Sequence, residues 1–92
     1  MQKTILITGS TDGIGFETAK TVLSLGHNVL IHGRNKEKLK RVEDTLNEFS
    51  KNIPVKTYCA DLSNLEEVKT LAENISKNHK NIDVIINNAG IY

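Results

Sequence analysis

The 92-residue sequence is short of several residue types, and each shortage closes off a class of protein. Cys59 is the single cysteine, so no disulfide can form within the chain, and a reducing cytoplasm is the expected compartment. No apolar run approaches the length of a membrane span, and no signal-peptide core follows Met1. Excess charge is missing too. A formal net charge of +1 gives no basic surface for nucleic acid or an anionic membrane, and neither is expected as a partner. The basic run Lys36, Lys38, Lys40 and Arg41 is broken by Glu37, Glu43 and Asp44 and has no interleaved aromatics, which reads as a solvated helix face. His27, His32 and His79 lie far apart, and none stands at metal-ligand spacing from Cys59. No metal site is expected, and all four residues read as structural or solvent-facing.

What is present is an alternation of short apolar runs and amphipathic stretches within one small domain, residues 1–92. Thr4–Thr8 reads as a buried strand. Ile14, Ala19, Val22 and Leu25 then recur at helical spacing, with Gly26 placed to end that helix. Residues 28–32 form a second buried strand. Asn35 is a good N-cap for a helix whose apolar stripe is Leu39, Val42, Leu46 and Phe49. Residues 55–59 form a third strand, and Pro54 and Lys56 suit it to a sheet edge. Ser63 and Glu66 fit a capping box, followed by a helix burying Leu65, Val68, Ala72 and Ile75. A polar turn over 78–81 leads to a fourth strand, 82–87.

This βαβαβαβ pattern predicts an α/β fold with a Rossmann-type parallel sheet. Right-handed crossovers favour strand order 3-2-1-4, with a ligand at the C-terminal edge between strands 1 and 4. Strand 4 carries Val84, Ile85 and Ile86, an apolar run that reads as buried on both faces. At the end of a four-stranded sheet it is an open apolar edge, and a homo-oligomer joined through 82–87 is expected.

The turn after strand 1 carries the chemistry. Its order of strand, glycine-rich turn and helix start is that of a dinucleotide site: glycines admit a pyrophosphate, and orphan N–H groups at the positive helix end hold it. The absence of Lys-Ser/Thr after the last glycine excludes a P-loop.

The segment Thr8–Gly9–Ser10–Thr11–Asp12–Gly13–Ile14–Gly15 resembles the TGxxxGIG cofactor motif of the short-chain dehydrogenases/reductases. Asp61–Leu62 resembles that family's adenine-contacting Asp after strand 3, and Asn87–Asn88–Ala89–Gly90 its NNAG motif after strand 4. The resemblance implies an oxidoreductase that moves a hydride between a nicotinamide and a carbonyl/alcohol substrate. It covers the whole chain but only the first half of the family's fold, so a piece of a longer protein is expected. The cofactor residues it implies are Gly9, Ser10, Thr11, Gly13, Ile14, Gly15, Asp61, Leu62, Asn88, Ala89 and Gly90. Asn87 would tie strand 4 to its neighbour. Helix N-terminal electrostatics is an alternative role for Asp61.

Strand 2 ends on Gly33 and Arg34, where an NAD-preferring site places a carboxylate for the adenosine ribose. A guanidinium can clamp a 2′-phosphate, so NADP(H) is favoured over NAD(H), with Ser10 adding a hydroxyl contact. A solvated loop cation is the alternative for Arg34. No catalytic residue is expected, because the family's catalytic Ser and Tyr-x-x-x-Lys lie beyond NNAG. Tyr58 has Leu62 where the lysine would stand, and Tyr92 is terminal. The competing reading is a truncated, non-catalytic module that binds nucleotide or itself.

Overall fold

The computed structural model describes residues 2–50 and 54–88. Its elements are β1 (Thr4–Thr8), α1 (Gly13–Ser24), β2 (Asn28–Gly33), α2 (Lys36–Asn47), β3 (Lys56–Cys59), α3 (Leu65–Asn78) and β4 (Val84–Asn87). The four strands are parallel in the order β3-β2-β1-β4, the Rossmann-type arrangement expected from the alternation. Ile5 stands beside Val29 and Val84, and Ile7 beside Ile31 and Ile86, so the most apolar rungs lie side by side. Strand 2 runs one residue further than its apolar run predicts. Strands 3 and 4 begin later than predicted, at Lys56 and Val84.

Period-two alternation splits β1 and β2 between two unequal layers. Ile5, Ile7, Val29 and Ile31 meet Ala19 and Leu23 of α1 and Leu39, Val42 and Leu46 of α2. The opposite face buries only Leu6, Leu30 and Ile75, with Tyr58, Leu71 and Ile82 packed partly against them.

Two helical stripes are rotated from the sequence expectation. In α1 the buried residues are Gly15, Ala19 and Leu23, while Ile14 and Leu25 are 78% and 70% exposed. The i, i+4, i+8 line starting at Gly15 wins because only a glycine there lets the helix start press against the preceding turn. In α3 Ile75 is buried and Val68 half-buried, but Leu65 is 80% exposed and Ala72 exposed. Leu71 faces the sheet instead, on the i, i+3, i+7 line through Val68 and Ile75. Phe49 lies past the end of α2, with the Lys20 ammonium 5.0 Å from its ring centroid.

The Asn35 cap forms as expected, accepting from the Lys38 N–H at 2.9 Å. The cap of α3 falls one residue later than the predicted box: Asn64 accepts from the Glu67 N–H at 3.2 Å, and Glu67 accepts from the Asp61 N–H at 2.9 Å. At the far end of α3, the Tyr58 hydroxyl and His79 Nε2 are 2.7 Å apart. Burial, then the Lys56 charge, pushes His79 below its ordinary pKa.

Among the described residues β4 pairs with β1 alone, and Val84 and Ile85 are 39% and 63% exposed. The open apolar edge is present in the fold. No described helix is long and apolar enough to cross a membrane.

Candidate nucleotide-binding site

The turn between β1 and α1 sits at the C-terminal edge of the sheet. Gly9 (φ 62°) and Gly13 (φ 54°) both take left-handed backbone conformations that L side chains adopt at a cost. Gly15 is required for another reason. A Cβ there would lie 2.5 Å from both Gly9 O and Asn88 Nδ2, and 3.0 Å from Ser10 Cα.

The helix that follows is open at its N-terminus. Asp12 is the N-cap, but its side chain caps no N–H and instead pairs with Lys38 on α2. The first turn of α1 has no acidic residue, whereas α2 and α3 each have an asparagine cap and acidic residues there. The N–H groups of Gly13, Ile14 and Gly15 have no intrahelical acceptor, and the Asp12 carboxylate beside them is turned to Lys38 instead of capping them. A phosphate oxygen is the group this geometry suits.

Ser10 corrects one expectation. It is 0% exposed, and its hydroxyl accepts from His32 N at 2.9 Å and donates to His32 O at 3.2 Å. Buried and used in both directions, it has nothing to offer a 2′-phosphate. Ser10 is a clasp between the turn and β2.

On the opposite side, Asn88 Nδ2 donates to Gly9 O at 3.1 Å and its backbone N–H to Thr8 Oγ1 at 3.0 Å. Thr8 Oγ1 donates to Asn87 Oδ1 at 3.1 Å, which ties β4 to β1. Ala89 and Gly90 lie outside the described residues.

The outer end of the site forms where β2 and β3 stop. A Cβ on Gly33 would meet Thr11 Cγ2 at 2.7 Å and Leu39 Cγ at 3.3 Å, so a ribose-binding carboxylate has no room there unless Thr11 moves. Arg34 follows, exposed, with its carbonyl 3.6 Å from Cys59 Sγ. Asp61 Oδ1 accepts from the Ser63 hydroxyl at 2.7 Å and the Ser63 N–H at 3.0 Å. Those bonds, with the nearby Arg34 charge, hold its carboxyl below the usual range. Leu62 is 38% exposed. A cavity of about 410 Å³ opens beside the turn, lined by Thr11, Asp12 and Gly13 and by Lys38 and Arg41 of α2. No described group of His, Cys, Asp and Glu is arranged to hold a metal.

Sequence reasoning missed two residues here, Lys38 and His32. Lys38 falls within a basic run that reads as solvated. His32 had a signal: it shares the sheet face of Leu30 and closes an apolar strand, where a polar ring needs partners.

A parallel sheet with a glycine turn and an open helix start at its C-terminal edge is the arrangement of a Rossmann-type α/β domain. Residues 3–92 match the short chain dehydrogenase family, and the chain belongs to it. It is 35% identical to human polyprenol dehydrogenase over 86 residues, 94% of this chain and 26% of that protein. It is 38% identical to the uncharacterized oxidoreductase YciK of Escherichia coli over 89 residues, 95% of this chain and 35% of the relative. The solved YciK structure superposes with a TM-score of 0.87 at 36% identity, covering 97% of this chain and 37% of that one. The Pseudomonas aeruginosa RhlG/NADP active-site complex aligns with a TM-score of 0.87 at 28% identity, covering 97% and 35%. L-sorbose reductase from Gluconobacter frateurii, complexed with NADPH and L-sorbose, aligns with a TM-score of 0.87 at 27%, covering 98% and 34%. The chain thus spans about a quarter to just over a third of the length of these proteins.

Proposed function

We propose that these residues form the adenosine- and pyrophosphate-binding portion of an NADP(H)-dependent oxidoreductase acting on a carbonyl/alcohol substrate. The observation that carries this reading is the open N-terminus of α1 behind a turn whose Gly15 leaves no space for a side chain. When bound, the nicotinamide supplies or accepts the hydride. The protein's own part lies elsewhere. Gly13, Ile14 and Gly15 hold the pyrophosphate through their N–H groups, and Gly9 and Thr11 shape the turn. Asp61, held ionised by Ser63, accepts from the adenine amino group, with the Leu62 N–H beside it. Arg34 meets the 2′-phosphate, and Asn88 with Ala89 and Gly90 closes the ribose side. The family's proton-transferring Tyr-x-x-x-Lys has no counterpart in 1–92, so no catalytic role is assigned to any residue here.

Two further observations support NADP(H) over NAD(H): the Gly33–Arg34 pair at the end of β2, and two similar structures named with NADP or NADPH. Calorimetric titration of the chain is expected to give saturable binding of NADPH and weaker binding of NADH. Equal affinities would remove the 2′-phosphate role of Arg34. The single exposed thiol fits a cytoplasmic setting.

The exposed Val84 and Ile85 favour a second reading, self-association along the β4 edge. Sedimentation velocity is expected to show a concentration-dependent dimer, and a monomer at every concentration would dismiss it.

A further inference from the structure

We propose that His32 is a positioning residue for the dinucleotide, its Nδ1 atom fixing the conformation of the glycine turn. The inference rests on the nucleotide-binding reading but concerns a residue that reading leaves unused.

Five hydrogen bonds converge on His32, and four of them come from the turn. Gly9 N–H donates to the ring Nδ1 at 3.0 Å, and Ser10 N–H to the backbone carbonyl at 2.9 Å. The Ser10 hydroxyl bonds both His32 N and His32 O. The fifth runs from the ring Nε2 to Ala60 O at 2.8 Å. An amide N–H can only donate and a carbonyl only accept, so Nδ1 is the acceptor and Nε2 carries the proton. His32 is 3% exposed, so loss of either partner would leave a buried polar atom without ready access to bulk solvent.

This arrangement has a directional consequence. Gly9 stands at φ 62°, where its N–H points back toward β2 and its carbonyl toward Asn88. The two sides of the turn are thus held at one residue, by His32 on the N–H and by Asn88 on the carbonyl. That carbonyl is also the atom against which Gly15 is packed. His32 therefore sets where the start of α1 rests, and with it the direction of the Gly13, Ile14 and Gly15 N–H groups. Its Ala60 bond joins the same ring to the segment leading into Asp61, linking the pyrophosphate and adenine ends of the site.

The two ring nitrogens are separable by substitution. In His32→Asn the side-chain oxygen takes the Nδ1 place and restores the acceptor for Gly9. In His32→Gln the amide nitrogen takes the Nε2 place and restores only the donor to Ala60. Amide NMR spectra of the ligand-free chains are expected to show the Gly9, Gly13 and Gly15 resonances moved in His32→Gln and near their wild-type positions in His32→Asn. Affinity for NADPH should follow, about tenfold weaker in His32→Gln and within about threefold of wild type in His32→Asn, the scale of one lost buried hydrogen bond. Long-range ¹H–¹⁵N spectra of the wild-type ring should show a bare Nδ1 and a protonated Nε2. A protonated Nδ1, or turn resonances that move equally in both variants, would overturn the proposal. Wild-type chain that shows these turn signatures but no NADPH binding would overturn the nucleotide reading alone.

Discussion

Replacing Gly15 by alanine is expected to weaken NADPH binding by an order of magnitude or more and to destabilise the fold. The direction of the stability change is what makes the substitution informative. Gly15 lies in a helix with no left-handed backbone to protect, and in an open helix alanine would stabilise by about 1 kcal/mol. Here the new Cβ would sit 2.5 Å from a backbone carbonyl and 3.0 Å from a backbone Cα, neither of which can rotate away. Overpacking of this kind costs about 1–3 kcal/mol. Relief requires α1 to move off the turn, which displaces the N–H groups proposed to hold the pyrophosphate. Gly13→Ala is the matched control: nothing lies within 4 Å of its Cβ, so its penalty comes from φ 54° alone. Chemical denaturation and calorimetry on both variants test this, and a stabilised Gly15→Ala chain with unchanged affinity would refute the packing argument.

Arg34→Ala is expected to separate the two nicotinamide dinucleotides. Arg34 is exposed at the end of β2 and is in no ion pair among the described residues. Hydrogen bonds to a charged group contribute about 1.5–3 kcal/mol, so NADPH affinity should fall roughly tenfold to a hundredfold. NADH lacks the 2′-phosphate and should bind within about twofold of its wild-type affinity. Lys38 will not replace the lost guanidinium, because its ammonium is paired with Asp12. Equal losses for both dinucleotides would mean that Arg34 acts on the fold or on general charge.

The fold was legible because β1, β2 and β4 each carry an uninterrupted apolar run and each helix a recognisable break. The 3-2-1-4 order followed from connection handedness, and Pro54 and Lys56 already suited β3 to an edge. Helix faces were less legible. Ile14 and Leu25 satisfy helical spacing as well as Leu23 does, and periodicity cannot register that Gly15 must meet Gly9 O. The same limit shifted the α3 stripe from Leu65 and Ala72 to Leu71.

At the site, residues acting through backbone geometry were the readable ones, since a glycine in a turn announces itself. Ser10 was not. A serine in a phosphate-binding turn looks like a ligand, and only the strand-to-turn approach turns its hydroxyl toward β2. Gly33 shows a gain of the opposite kind. Sequence explains it as a missing carboxylate, and structure adds that Thr11 and Leu39 occupy the space a side chain would need.

The proposed function places the dinucleotide's pyrophosphate at the open start of α1. Amide-resolved NMR titration of the chain with NADPH tests it most directly. The largest shifts are predicted at Gly13, Ile14 and Gly15, with a second set over residues 33–35 and 61–62. The amides of Thr70 and Asn74, which line a separate cleft between β3 and α3, should stay still. Saturating NADPH that moves Thr70 and Asn74 while leaving Gly13, Ile14 and Gly15 in place would place the dinucleotide elsewhere.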